Sequence, residues 1–214
     1  MERTVRILWT AIDTDRVSEL KDRYFALMDP ERRRRINACR SESKRAELIF
    51  GGALIIRAFK EAGLSEVGIT YGKNGKPEAD REGFYFNLSH SGNTIALAFS
   101  DGELGFDIQK PVAARESLKD RILSPGEKER LSKDKTPFNR IWSLKESFSK
   151  LTGEGIGTDF TGLEFYKDTE SDLYTVTYHG TKSGYAREFV SDEISVAVCM
   201  ADPFTISEFT QVKL

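Results

Sequence analysis

Cysteine and histidine are nearly absent from this chain of 214 residues, with two of each. Cys39 and Cys199 are too few for a disulfide framework or a Cys/His zinc cluster, and read as ordinary thiols of a reducing compartment. Charge of one sign is lacking as well: 32 basic against 34 acidic residues leave a net charge of −2, which excludes a global nucleic-acid footprint. No stretch is apolar enough for a membrane helix. Residues 2–9 (Glu-Arg-Thr-Val-Arg-Ile-Leu-Trp) are charged and strand-like and lack the apolar region of a signal peptide. A Gly-rich phosphate loop of the Walker type is also missing. These absences exclude a membrane partner and point to a cytoplasmic protein, while 39% hydrophobic and 31% charged residues suffice for one large or two small cores.

What is present has a repeated design. Residues 94–99 and 194–199 read as short apolar strands, each followed by an acidic turn, Asp101-Gly102 and Asp202-Pro203. An aromatic-rich strand precedes each (84–88 and 184–190), and further back lies an amphipathic helix (43–61 and 138–151). The pattern predicts two halves, 1–101 and 102–214, with the seam near Ser100-Asp101-Gly102-Glu103.

Two segments at the start of the second half carry the chemistry. In Leu104-Gly105-Phe106-Asp107-Ile108-Gln109, strand alternation sets Leu104, Phe106 and Ile108 on one face and Gly105, Asp107 and Gln109 on the other. In the helix that begins near residue 138, Ile141, Leu144, Phe148 and Leu151 share a core-facing arc, and Trp142, Glu146 and Lys150 lie opposite at i, i+4 and i+8. Glu146 and Lys150 alone could be a solvated ion pair. Trp142, a large ring on the supposedly wet face, argues that this face lines a cleft. One strand carboxylate and one helix carboxylate suit magnesium, which fills its other positions with waters and substrate phosphate oxygens.

Four elements in order give a resemblance: Gly75-Lys76-Pro77, Phe86-Asn87-Leu88-Ser89-His90-Ser91, Gly105-Phe106-Asp107-Ile108-Gln109, and the helix from Trp142 to Lys150 with its W-S-x-K-E-S-x-x-K pattern. The chain resembles the 4′-phosphopantetheinyl transferases of the surfactin-synthetase-activating type. The likeness carries recognisable motifs over 28–150 and a looser pattern over the rest.

The resemblance implies an α+β fold of two similar halves related by a pseudo-twofold, with coenzyme A bound by the first half and metal and catalytic residues in the second. It implies transfer of the phosphopantetheine arm of coenzyme A to a serine of an apo acyl or peptidyl carrier protein, with Mg2+ and release of 3′,5′-ADP, by a monomer. Asp107, Gln109 and Glu146 are then the metal set. Glu146 acts as general base, as a metal ligand, or as both. Lys150 meets a phosphate oxygen or pairs with Glu146. Coenzyme A contacts are expected from Lys76 and Pro77, from Ser89 and His90 in a loop after a strand, and from the basic run and following helix at Arg32, Arg35 and Arg45 (or Lys44). Many relatives have glutamate at the position of Gln109. An uncharged amide implies a looser metal, tested by a magnesium titration of Gln109→Glu; an unchanged requirement would sink the idea. A non-catalytic homologue that only binds coenzyme A or carriers is the alternative reading. Carrier docking is expected over 110–135, where Lys119, Arg121, Lys128, Arg130, Lys133 and Lys135 could attract an acidic partner. Phe84-Tyr85-Phe86 is a further apolar candidate.

Overall fold

The computed structural model describes residues 2–65, 68–72, 74–134 and 137–214. The chain divides into two compact units. The first comprises Thr4–Asp101 with Ile206–Leu214, and the second Gly102–Thr205 with residues 2–3. The division falls between Asp101 and Gly102, but the C-terminal segment expected in the second half returns to the first unit. The cause is strand pairing, because the last strand lies beside the first in one sheet.

In the first unit, β1 (Arg3–Ala11) is followed by helices α1 (Val17–Tyr24), α2 (Pro30–Ala38) and α3 (Glu42–Glu61), the short strands β2 (Ile69–Tyr71) and β3 (Pro77–Ala79), and the hairpin β4 (Tyr85–Ser91) and β5 (Thr94–Ser100). With β11 (Phe204–Gln211) they form a four-stranded sheet in the order β11-β1-β5-β4 and a separate pair β2-β3. Asp29 starts α2 by accepting from the Arg32 amide, with Pro30 in the first turn; its side-chain oxygen satisfies an amide that the helix leaves orphaned. Ser41 caps α3 through the Lys44 amide. α3 lays Ile49, Phe50, Ala53 and Leu54 on the apolar face of the sheet, against Leu8, Phe86, Leu97 and Phe99. Phe84 and Phe86 are buried in this core, so they are not the exposed docking surface the sequence suggested.

The second unit holds β6 (Leu104–Gln109), α4 (Glu116–Ile122), α5 (Pro125–Asp134), α6 (Phe138–Thr152), β7 (Leu163–Lys167), β8 (Leu173–Tyr178), β9 (Thr181–Ser191) and β10 (Ile194–Met200). Its antiparallel sheet runs β6-β10-β9-β8-β7. α6 packs on β6 and β10 and ends at Gly153, whose φ of 72° is the left-handed cap that glycine adopts freely. The two units share a design: a long helix over an antiparallel hairpin closed by a two-residue turn, Gly92-Asn93 between β4 and β5 and Asp192-Glu193 between β9 and β10.

Candidate functional site

The acidic cluster is built on β6 and α6. Gly105 is what lets them meet: a Cβ there would lie 1.9 Å from the Ser147 carbonyl oxygen and 2.3 Å from the Leu151 amide nitrogen. With no side chain in the way, the helix backbone rests directly on the strand. Strand alternation then turns Asp107, two residues on, to the same face. Lys150 Nζ donates to Asp107 Oδ1 at 2.7 Å, and the Asp107 side chain is only 7% exposed. Glu146 lies one turn before Lys150. Burial pushes its carboxyl up from the ordinary value, the nearby Asp107 charge adds to this, and Lys150 opposes it. Two carboxylates and a lysine therefore share one partly buried patch, and Lys150 is engaged with Asp107 rather than reserved for Glu146.

Other parts of α6 correct the sequence reading. Ile141, Leu144 and Phe148 face the core as expected, but Ser143, Lys145, Ser147 and Ser149 are buried too, so the helix is covered nearly all round. Trp142, Glu146 and Lys150 form its less buried stripe. Trp142 itself stands between Phe138 and Phe160, with both ring centroids at 6.0 Å; its ring is held by aromatic packing. Lys145 was only a motif position in the sequence. It is fully buried, with Nζ 2.8 Å from Glu127 Oε2 and donating to the Phe160 and Leu163 carbonyls at 2.5 and 2.7 Å. The detectable signal was Ser124-x-x-Glu127, a capping box in which Glu127 accepts from the Ser124 amide and Ser124 Oγ from the Glu127 amide.

Gln109 follows Asp107 on the same face, and its amide Nε2 donates to the Lys110 carbonyl at 3.1 Å. Asn139 bonds Ser195 Oγ at 2.6 Å and reaches the Gln109 carbonyl at 3.5 Å, tying α6 to the ends of β6 and β10. Among the described residues, no group of three or more His, Cys, Asp or Glu side chains is arranged to hold an ion. The pair Asp107 and Glu146 nevertheless fits a hard divalent cation in donor chemistry. Magnesium commonly takes one or two protein carboxylates and completes its shell with water and phosphate oxygens, and a cation there would offset the burial and the Asp107 charge that together disfavour ionised Glu146.

The basic candidates belong to the first unit. Ser89 and His90 are not in a loop: β4 continues through Ser91, which pairs with Thr94 across the turn. Alternation buries Ser89 and Ser91 and leaves His90 exposed. His90 Nε2 lies 3.4 Å from Glu47 Oε2, which also accepts from Lys44 Nζ at 2.6 Å. Lys76 and Pro77 sit at the turn of the β2–β3 hairpin, closed by Gly72 N to Lys76 O at 2.9 Å. Of the arginine run, Arg32 is buried, its Nη1 donating to the Leu48 carbonyl at 3.2 Å. It is thus no solvated face, and burial lowers its proton affinity. Arg35 sits over the Tyr71 ring, 5.9 Å from the centroid. Arg45 Nη1 donates to the Cys39 carbonyl at 3.3 Å.

In the expected docking segment, Val112 and Leu118 are exposed. Lys119, Lys128 and Lys133 each pair with a nearby acid, Glu116, Asp120 and Glu129; Lys135 lies outside the described residues. Cys199 is fully buried and its thiol is pushed up to about 12 by burial, which makes it inert. No helix among the described residues is long and apolar enough to cross a membrane.

Residues 103–199, which carry the whole acidic cluster, match the family model of the 4′-phosphopantetheinyl transferase superfamily. The chain is 33% identical over 183 residues to the 4′-phosphopantetheinyl transferase AcpT of Salmonella typhi, covering 79% of this chain and 84% of that one. It is 26% identical over 220 residues to the 4′-phosphopantetheinyl transferase Sfp of Bacillus subtilis (strain 168), covering 97% of each. Among solved structures it is similar to the holo-[acyl-carrier-protein] synthase of Thermotoga maritima, at 24% identity and a TM-score of 0.36, over 47% of this chain and 63% of that one. The chain belongs to the 4′-phosphopantetheinyl transferase family, and to its surfactin-synthetase-activating (Sfp) type.

Proposed function

We infer that this chain is a transferase that moves the phosphopantetheine arm of coenzyme A onto a serine hydroxyl of an acyl or peptidyl carrier protein. The serine oxygen forms a bond to the phosphorus that carries pantetheine. The pyrophosphate P–O bond breaks, and 3′,5′-ADP leaves with the electron pair. The observation that carries the reading is the Asp107, Glu146 and Lys150 patch, which joins a carboxylate of raised proton affinity to a lysine-held carboxylate. Glu146, deprotonated at working pH, takes the serine proton; a base tuned upward toward neutrality accepts a proton more readily than an ordinary glutamate. Lys150 fixes Asp107 and adds positive charge where phosphate oxygens gather. A divalent cation held by Asp107 and Glu146, with Gln109 beside them, supplies neutralisation of pyrophosphate charge when bound. Arg35, Lys76 and His90, with Lys44, Arg45 and the buried Arg32 nearby in sequence, are the residues we assign to the anionic end of coenzyme A. The exposed Val112 and Leu118, on the segment with Lys119 and Lys128, are our choice for carrier docking.

The test is mass spectrometry of an apo carrier protein after incubation with the protein, coenzyme A and magnesium, beside Glu146→Ala. The expected result is a gain of one phosphopantetheine that the variant does not give. Coenzyme A binding by calorimetry with no gain on any of several carriers would overturn catalysis in favour of a binding protein.

A further inference from the structure

The cations assigned to coenzyme A come from separate pieces of chain. Arg32 and Arg35 stand on α2, and Lys76 at the turn of the β2–β3 hairpin. A phenol joins the two pieces: Tyr71 Oη donates to Asp29 Oδ1 at 2.9 Å. The same carboxylate oxygen accepts the Arg32 amide at 2.8 Å, as the cap of α2, and its other oxygen lies 3.7 Å from Arg32 Nε. The ring of Tyr71 in turn carries the Arg35 guanidinium over it. Burial raises the phenol to about 12, with the hydrogen bond to Asp29 acting in the same direction and Arg32 against it. Tyr71 therefore remains a protonated donor at any physiological pH.

A hairpin of two three-residue strands has little stability of its own. Ile69 and Ala79, paired across its open end, pack against the core of the unit. Tyr71 pairs with Pro77 at the turn end, and Lys76 is the residue before Pro77. The hydroxyl thus clamps the end of the hairpin that bears the lysine, and it clamps it to the first turn of the helix that bears the arginines.

We propose that Tyr71 is a positioning residue for ligand binding, whose hydroxyl, by clasping Asp29, sets Lys76 against α2 so that Lys76 and Arg35 act on one anionic ligand. This rests on the coenzyme A reading above. Tyr71→Phe removes the hydroxyl, keeps the ring beneath Arg35, and leaves Asp29 capping α2.

The experiment measures calorimetric binding of coenzyme A, and KM and kcat for transfer, in the wild type, Tyr71→Phe, Lys76→Ala and the double variant. A hydrogen bond to a charged group contributes enough for the phenylalanine variant to weaken binding and raise KM for coenzyme A about five- to tenfold, with kcat at saturation unchanged and the melting temperature lowered by only a few degrees. On the Lys76→Ala background the same change should add nothing, because the two residues act as one unit. An unchanged KM, a full additive loss in the double variant, or a fall in kcat and melting temperature at constant KM would each overturn the proposal. A wild type that binds no coenzyme A would remove the reading beneath it, and that result appears before any variant is compared.

Discussion

As the base we propose, Glu146 has to be ionised in the reaction, yet in the resting protein it is a half-buried carboxyl whose ionised form burial disfavours. Its carboxyl is raised above 4.5 by burial and by Asp107, with Lys150 opposing. A group with a folded pKa above its unfolded value contributes stability below the unfolded pKa, and that contribution is lost as pH rises through the folded one. At pH 7.5 the ionised carboxylate therefore weakens the metal-free protein. Glu146→Gln should abolish transfer yet raise the metal-free melting temperature by about 2 °C at pH 7.5, with the difference vanishing near pH 4. Calorimetry across that range checks the sign, and a lower-melting variant at pH 7.5 would refute the assignment. Added magnesium should stabilise the wild type and not the variant. Because a bound cation favours the ionised carboxylate, the acid limb of the wild-type transfer rate should move to lower pH as magnesium is raised.

Helix α6 shows how the placement of the proposed base depends on its neighbours. Lys145 spends its three protons on Glu127 and on two carbonyls of the segment that leads into β7, fixing the helix one residue before Glu146. Breaking a buried pair by removing one partner leaves the other charge stranded and costs about 3–5 kcal/mol. Lys145→Met should lower stability by that order, and Lys145→Met with Glu127→Gln should recover part of it, read by urea unfolding; equal losses in the single and double variants would show that the pair is not the cause. The sequence revealed Asp107, Glu146 and Lys150 because periods of 2 and 3.6 place them on faces without reference to the rest of the chain. It did not reveal the burial of Lys145, which depends on two carbonyls arriving from 15 and 18 residues away, nor that of Arg32, which lies against α3. Ser89 to Ser91 read as a loop because their polarity outweighed a pairing with β5 that no local pattern displays. The Tyr71 to Asp29 contact, 42 residues apart, has no sequence signature at all.

At the scale of the whole chain, the first unit is made from its two ends. β11 pairs beside β1, Val212 N donates to the Trp9 carbonyl at 2.9 Å, Trp9 and Phe209 stack with centroids 5.8 Å apart, and Arg16 holds the Leu214 carbonyl at 2.6 Å. Val212 and Leu214 are 6% and 3% exposed within the core that α3 covers. Burying two such side chains contributes about 3–6 kcal/mol, a large part of the roughly 5–15 kcal/mol that holds a domain folded. Truncation after Thr205 also turns β1 into an open sheet edge. The truncated protein should therefore lose coenzyme A binding and become sensitive to protease between residues 4 and 101, although every residue assigned to the ligand is still present. The second unit, whose residues the cut leaves intact, should keep 102–205 as a resistant fragment. Mass spectrometry of the digest distinguishes the outcomes: cleavage spread evenly over both units would show that the first unit's loss takes the second with it, and an unchanged resistance of 4–101 would show that the last strand is dispensable to the unit it completes.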